Sequence, residues 1–201
     1  MLLLHKLFPT IFGSIDCPFH ADIRDSLISY CISLPDTIES GGKEWVSNKT
    51  YNTSDERLNI LHNKNFEQLN NWIIFQVQEY GRQLLFDGEL VPITGWVNIY
   101  RQYDYQEYHV HKNCTISVIY FMNGEKDYAK VCFRKPGDQM YQVDYIQETA
   151  DTYKRLMLTP HPGRLIIFPS DILHCVERHE INSPRITLSY NFVQKSGVRS
   201  P

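Results

Sequence analysis

Residues 105–122, YQEYHVHKNCTISVIYFM, decide how the rest of this chain is read. His109 and His111 stand two apart at the entrance to the apolar, β-branched run TISVIYFM. In an extended strand alternate side chains leave the same face, so imidazoles at this spacing point the same way. Two imidazoles on one face are half of a metal-binding set, because neutral imidazole is a ligand for Fe, Zn, Cu and Ni. A third, His174, comes 63 residues after His111, just past the turn FPSD in the segment ILHCV. That separation lets several strands pass between, so His109, His111 and His174 are expected to hold a metal inside a β-barrel. His5, His20, His62, His161 and His179 lack such a pattern and are taken as core or surface residues.

Working outward, the chain from residue 90 carries strand signals. Short apolar stretches at 93–102, 115–122, 128–134, 141–147, 154–159, 164–168, 172–177 and 184–193 are parted by turn formers such as Gly124, Pro136-Gly137, Pro160, Gly163, Pro169 and Pro184. Eight short strands with turns between them predict a barrel or sandwich. Ahead of residue 90 the periodicity is helical. Ile23, Leu27, Tyr30, Cys31 and Leu34 predict a helix over 20–34, stopped by Pro35. Phe66, Leu69, Ile73, Val77, Tyr80 and Leu84 recur every three or four residues and predict a stronger one over 64–85. Residues 1–19 are read as an edge strand or extended lead-in, and 35–55 as a loop. The expectation is a mainly β (α+β) single domain over 1–201. Residues 1–89 form a lead-in and supporting helices, and 90–195 form the barrel.

Composition narrows the partners. A net charge of −3 leaves no electrostatic footprint for nucleic acid. The opening MLLLHKLFPTIF is too short and interrupted for a signal peptide or a membrane span, so no membrane partner is expected. Five cysteines at irregular spacing, without a CxxC, fit reduced thiols and a cytoplasmic location. The glycosylation patterns at Asn48, Asn52 and Asn113 are read as chance on the same ground.

In RITLSYNF, Arg185, Thr187, Ser189 and Asn191 alternate with Ile186, Leu188, Tyr190 and Phe192. One face packs and the other lines a site. Arg185 follows His174 by 11 residues, so both side chains can enter one cavity from neighbouring strands. A guanidinium inside a barrel needs an anion, and its planar fork suits a carboxylate, with the Thr187 hydroxyl as an added donor. The alternative is a surface arginine paired to Glu177 or Glu180.

Taken together, Trp96-Val97-Asn98-Ile99, the HxH pair, TISVIYFMN, GRLIIFPS at 163–170, His174 and Arg185-x-Thr187 resemble the Fe(II)/2-oxoglutarate-dependent oxygenases. The resemblance is to members found in bacteria and phages that carry HxH, and it extends to LFPTIF and to GGKEWVS at 41–47. It implies a double-stranded β-helix, the squashed barrel also seen in jelly rolls and cupins. It implies Fe(II) on His109, His111 and His174. It implies 2-oxoglutarate with its distal carboxylate on Arg185 and Thr187, and Asn98, Tyr100 and Ser117 lining the pocket. Gln106 and Tyr108 would reach cosubstrate or substrate. The implied reaction consumes dioxygen, hydroxylates a C–H bond, and releases succinate and CO2. Two departures stand out: His111 occupies the place of the usual acid, and Phe121 that of a tyrosine.

A cupin-like metalloenzyme shares HxH and a later histidine. Here, however, Thr115 and Ile116 replace the glutamate it expects, and Arg185-x-Thr187 would have no role. A non-catalytic metal-binding barrel is the third reading. The substrate, whether peptide, nucleotide or small metabolite, would be chosen by the loops at 35–55 and 134–155.

Overall fold

Two antiparallel sheets share one interior, and helices cover the outer face of the larger. The computed structural model describes residues 9–34, 59–136 and 154–195. The expected strand at 141–147, the GGKEWVS segment and most of both long loops lie outside the described residues.

The strands are β1 (Gly13–Asp16), β2 (Glu89–Tyr100), β3 (Gln106–His109), β4 (Ile116–Phe121), β5 (Val131–Arg134), β6 (Arg155–Leu158), β7 (Arg164–Pro169), β8 (His174–Val176) and β9 (Arg185–Lys195). The larger sheet has the order β1-β7-β4-β9-β2, and the smaller β3-β8-β5-β6. The expected edge strand near the N-terminus is β1, which pairs with β7. Four expected strands are shorter than the sequence suggested: 115–122 narrows to β4, 128–134 to β5, 154–159 to β6 and 172–177 to β8. Conversely, β2 starts at Glu89, four residues early, and its register slips between Pro92 and Thr94, where proline offers no N–H to the ladder.

The larger sheet is two-faced because its strands alternate. Val97, Ile99, Ile116, Val118, Tyr120, Leu165, Ile167, Ile186, Leu188, Tyr190 and Phe192 join the core beneath the helices. Their sequence neighbours Tyr100, Ile119, Phe121, Ile166 and Phe168 instead meet Val131, Phe133 and Val176 of the smaller sheet in a second apolar cluster. That second cluster is the barrel interior.

Helix α1 (His20–Ser33) buries Leu27 and Cys31 and ends one residue before Leu34, which is extended ahead of Pro35. The predicted long helix begins with a 3-10 turn, Lys64–Phe66, and continues as α2 (Glu67–Gln83). Its stripe Phe66, Leu69, Ile73, Val77 and Tyr80 is buried as the spacing required. Two tyrosine hydroxyls tie the helices to the sheet: Tyr190 donates to Asn70 Oδ1 at 2.8 Å, and Tyr120 lies 2.8 Å from His20 Nδ1. Gly163, at φ +82°, turns the chain into β7 where a Cβ would come within 2.8 Å of the His20 ring.

Ile73 is fully buried and Phe75, two residues on, is 65% exposed. Ile73→Ala is expected to cost about 2–5 kcal/mol in urea denaturation, and Phe75→Ala less than about 0.5 kcal/mol.

Candidate active site

His109 closes β3 and stands directly opposite His174, the first residue of β8. Because β8 lies between β3 and β5, His174 also faces Phe133, and its ring packs between Phe133 and Phe168 at 5.5 and 5.0 Å. His111 is not on the same strand as His109, as its spacing had suggested. It lies past the end of β3, where its backbone N–H donates to the Ser170 carbonyl at 2.9 Å. The three rings nonetheless converge. Centroid separations are 4.2 Å for His109–His174, 5.2 Å for His109–His111 and 5.1 Å for His111–His174. One ring nitrogen from each lies within 4.8 Å of the others.

The donor set suits a cation. His109 Nδ1 lies 2.7 Å from the Glu107 carbonyl, and His174 Nδ1 2.8 Å from that of Ile172. A carbonyl only accepts, so each Nδ1 carries the proton and each Nε2 keeps a lone pair for the centre. His111 Nε2 and His174 Nε2 are 3.3 Å apart. Two nitrogens each about 2.1 Å from one cation, at an angle of about 90–110°, would stand about 3.0–3.4 Å apart. Burial pushes the His174 ring well below the usual imidazole range, with the two neighbouring rings adding to the effect. Burial, then His109, pushes His111 down to about 4. Burial also lowers His109. All three rings are therefore neutral at pH 7, the form that ligates metal.

Arg185 is fully buried at the start of β9, opposite Tyr100 of β2. The surface alternative is thereby excluded, and Glu180 pairs with Arg178 at 3.0 Å instead. Arg185 Nε donates to the Ala129 carbonyl at 3.0 Å, while Nη1 and Nη2 are buried without a hydrogen-bond partner among the described residues. The guanidinium carbon lies 4.8 Å from the Tyr100 ring centre and 5.7 Å from that of Phe121. Burial lowers the Arg185 pKa and raises that of Tyr100 to about 12, each moderated by the other. Tyr100, Phe121, Phe133 and Phe168 belong to one apolar cluster, so the guanidinium and the His174 ring border the same interior.

Between them runs a polar ladder. Asn98 Nδ2 donates to Ser189 Oγ at 2.9 Å and Thr187 Oγ1 at 3.4 Å, and Trp96 Nε1 donates to Asn98 Oδ1 at 3.0 Å. Thr187, Asn98 and Tyr100 are thus on the interior face with Arg185, as expected. Ser117 shares that face but sits in the row of Asn191, its hydroxyl bonded to Ser170 Oγ and Asn191 Oδ1. Gln106 is buried opposite Val176. Tyr108 turns the other way: its hydroxyl meets Cys132 Sγ at 3.3 Å on the outside of the smaller sheet, under the Arg134 guanidinium. The expectation that Tyr108 reaches cosubstrate or substrate is therefore corrected, because alternation sends it opposite to His109. Spacing alone did not single out Trp96, whose indole stacks on His111 at 5.7 Å and 25°.

Two outcomes follow from this geometry. Replacing a buried, half-partnered cation by an apolar side chain of similar length is expected to stabilise the ligand-free chain. Arg185→Met should raise its unfolding free energy by about 1–4 kcal/mol in thermal or urea denaturation. Metal affinity should hold at about pH 6, where a free imidazole is mostly protonated. It should fall as pH approaches the lowered values of the buried rings, which a Co(II) titration across pH would record.

Comparison with known proteins bears on the fold. The family described as "Putative 2OG-Fe(II) oxygenase" matches residues 94–191, from within β2 to within β9. No match was found among curated protein sequences. Among solved structures the chain is similar to a Pseudomonas putida prolyl-4-hydroxylase, with TM-score 0.59 and 15% identity, over 93% of this chain and 94% of that one. It is similar to HygX from Streptomyces hygroscopicus, solved with nickel and 2-oxoglutarate bound, with TM-score 0.61 and 8% identity, over 92% and 84%. It also spans 60% of an oxidoreductase of the 2OG-Fe(II) oxygenase family from Burkholderia pseudomallei, with TM-score 0.51, 14% identity and 67% of this chain covered. These structures share the double-stranded β-helix that the two facing sheets form here. The chain therefore shares the fold of these oxygenases, and residues 94–191 are similar to the family described as "Putative 2OG-Fe(II) oxygenase".

Proposed function

We propose that His109, His111 and His174 hold Fe(II), that Arg185 holds the distal carboxylate of 2-oxoglutarate, and that the chain hydroxylates a C–H bond of an organic substrate. The observation that carries this is the Arg185 fork: two buried N–H-bearing nitrogens without acceptors among the described residues, bordering the interior that the imidazoles also border. A buried cation in this state is costly until an anion arrives, and a carboxylate satisfies both nitrogens at once. Thr187 follows two residues on along β9, its hydroxyl accepting from Asn98 and keeping its own proton to donate. The Tyr100 hydroxyl flanks the guanidinium from β2, on the side opposite Phe121, so Phe121 serves as an apolar wall.

When bound, Fe(II) and 2-oxoglutarate supply the oxidising chemistry, consuming dioxygen and yielding succinate and CO2. The protein's share is placement and exclusion of water. His109, His111 and His174 would hold the metal through one nitrogen each, fewer ligands than iron accepts. Phe133 and Phe168 back the His174 ring and keep bulk water from that side. His111 in place of an acid makes all three candidate ligands neutral, so a cation held there would not be offset by a protein carboxylate. Neither a cupin-like enzyme nor a structural metal barrel gives Arg185 a task.

Mixing the chain with Fe(II) and 2-oxoglutarate without air should produce a weak visible charge-transfer band, and admitting air should release succinate. Arg185→Ala should lower 2-oxoglutarate affinity by about 2–5 kcal/mol while leaving metal binding intact. Metal binding without any response to 2-oxoglutarate would contradict the oxygenase reading for this chain.

A further inference from the structure

His179 lies between β8 and β9 and is fully buried. A buried imidazole needs partners for both ring nitrogens, and here both have one. Nε2 donates to the Ser183 carbonyl at 2.7 Å. A carbonyl only accepts, so the proton is on Nε2 and Nδ1 keeps a lone pair. That lone pair takes the Ala129 backbone N–H at 3.4 Å. The carbonyl of the same Ala129 is the acceptor of Arg185 Nε at 3.0 Å. Ser183 stands two residues before Arg185 in the chain. The ring therefore grips two supports of the guanidinium: the residue on which its Nε leans and the segment that leads into it. The Tyr128 ring meets the imidazole edge-on at 5.1 Å and 74°. The His179 backbone ties in a third support. Its N–H donates to the Asp104 carbonyl at 2.8 Å and its carbonyl accepts the Tyr103 N–H, in the turn that follows Tyr100. Tyr100 is the ring against which the guanidinium lies at 4.8 Å.

We infer that His179 is a positioning residue for Arg185: its ring holds Ala129 where the carbonyl meets Nε–H, and so aims the Nη1 and Nη2 fork at the diacid. A guanidinium is planar, so fixing Nε–H on one carbonyl also fixes the direction of the other two nitrogens. Without the imidazole, the Ala129 N–H is a buried donor with no acceptor, and the segment shifts to find one. A small shift matters, because a binding constellation works only when held within about 0.5 Å and 10–20° of its productive geometry. The backbone bonds of His179 do not depend on its side chain, so a substitution there removes the ring's grip and leaves the turn tied. This inference rests on the proposed seating of the distal carboxylate on Arg185.

The test uses the full chain loaded with Co(II) without air. It is titrated by calorimetry with 2-oxoglutarate and, separately, with 2-oxobutyrate, a keto acid that lacks the distal carboxylate. The unsubstituted protein is compared with His179→Leu, which fills the space but accepts no hydrogen bond, and with His179→Asn, which returns an acceptor oxygen near the Nδ1 position. His179→Leu is expected to weaken 2-oxoglutarate binding by about tenfold. Its affinities for 2-oxobutyrate and Co(II) are expected to stay within about twofold of the original. His179→Asn is expected to bring 2-oxoglutarate binding back to within about threefold. A leucine variant that keeps the full preference for the diacid would overturn the inference. So would one that loses both keto acids equally, since that marks general loosening, and so would an asparagine variant as weak as the leucine one. Should His179→Leu fail to fold, His179→Asn is compared with His179→Gln, which keeps the donor to Ser183 but not the acceptor for Ala129. A glutamine variant severalfold weaker than the asparagine one for 2-oxoglutarate alone supports the inference, and equal affinities contradict it. An unsubstituted chain with no preference for 2-oxoglutarate over 2-oxobutyrate would overturn the seating on Arg185 itself, and the role of His179 with it.

Discussion

A guanidinium sealed inside an apolar chamber is the constraint on which the rest of this structure turns. Among the described residues Arg185 has no exposure, one acceptor for its Nε and none for its two terminal nitrogens. Folding alone would remove such a group or turn it to water, because an unmet buried cation opposes stability. Its retention makes sense when the chamber has an anionic occupant. The aromatic rings around it supply partial compensation, through cation–π contact with Tyr100 and Phe121, without satisfying its donors.

The larger sheet makes the chamber possible by giving its two faces different tasks. On β9, Ile186, Leu188, Tyr190 and Phe192 pack beneath the helices, and Arg185, Thr187, Ser189 and Asn191 face the interior. The helices are therefore support: the buried stripe of α2 frees β9 to be polar on its other side. At one end of the ladder is the guanidinium. At the other, Asn191 bonds to Ser117 and Ser117 to Ser170, whose carbonyl accepts the His111 N–H. The smaller sheet completes the arrangement, since β8 sets His174 between His109 and Phe133.

Much of this was legible in the sequence, for physical reasons that differ by element. The stripe of α2 and the alternation of β9 are periodic and leave clear marks. The convergence of His109, His111 and His174 followed from spacing, although the spacing misplaced His111 on β3. A strand end is set by competing hydrogen bonds, here His111 N–H to the Ser170 carbonyl, and no local pattern announces that bond. The inward turn of Arg185 stayed open because its neighbours Glu177 and Glu180 offered an equally good surface pairing by sequence. Tyr108 adjoins His109 and so faces the other side of the sheet, while the irregular register between Gln106 and His109, which no local pattern announces, leaves Gln106 buried. The stacking of Trp96 on His111 joins residues on different strands, which alternation alone does not reveal.

The most direct measurement is anomalous diffraction from crystals grown without air in the presence of Fe(II) and 2-oxoglutarate. The account predicts one iron peak about 2.0–2.3 Å from a nitrogen of each of His109, His111 and His174, with the far carboxylate of the diacid on Nη1 and Nη2 of Arg185. Iron bound elsewhere, or a diacid that leaves the Arg185 fork empty, would contradict it.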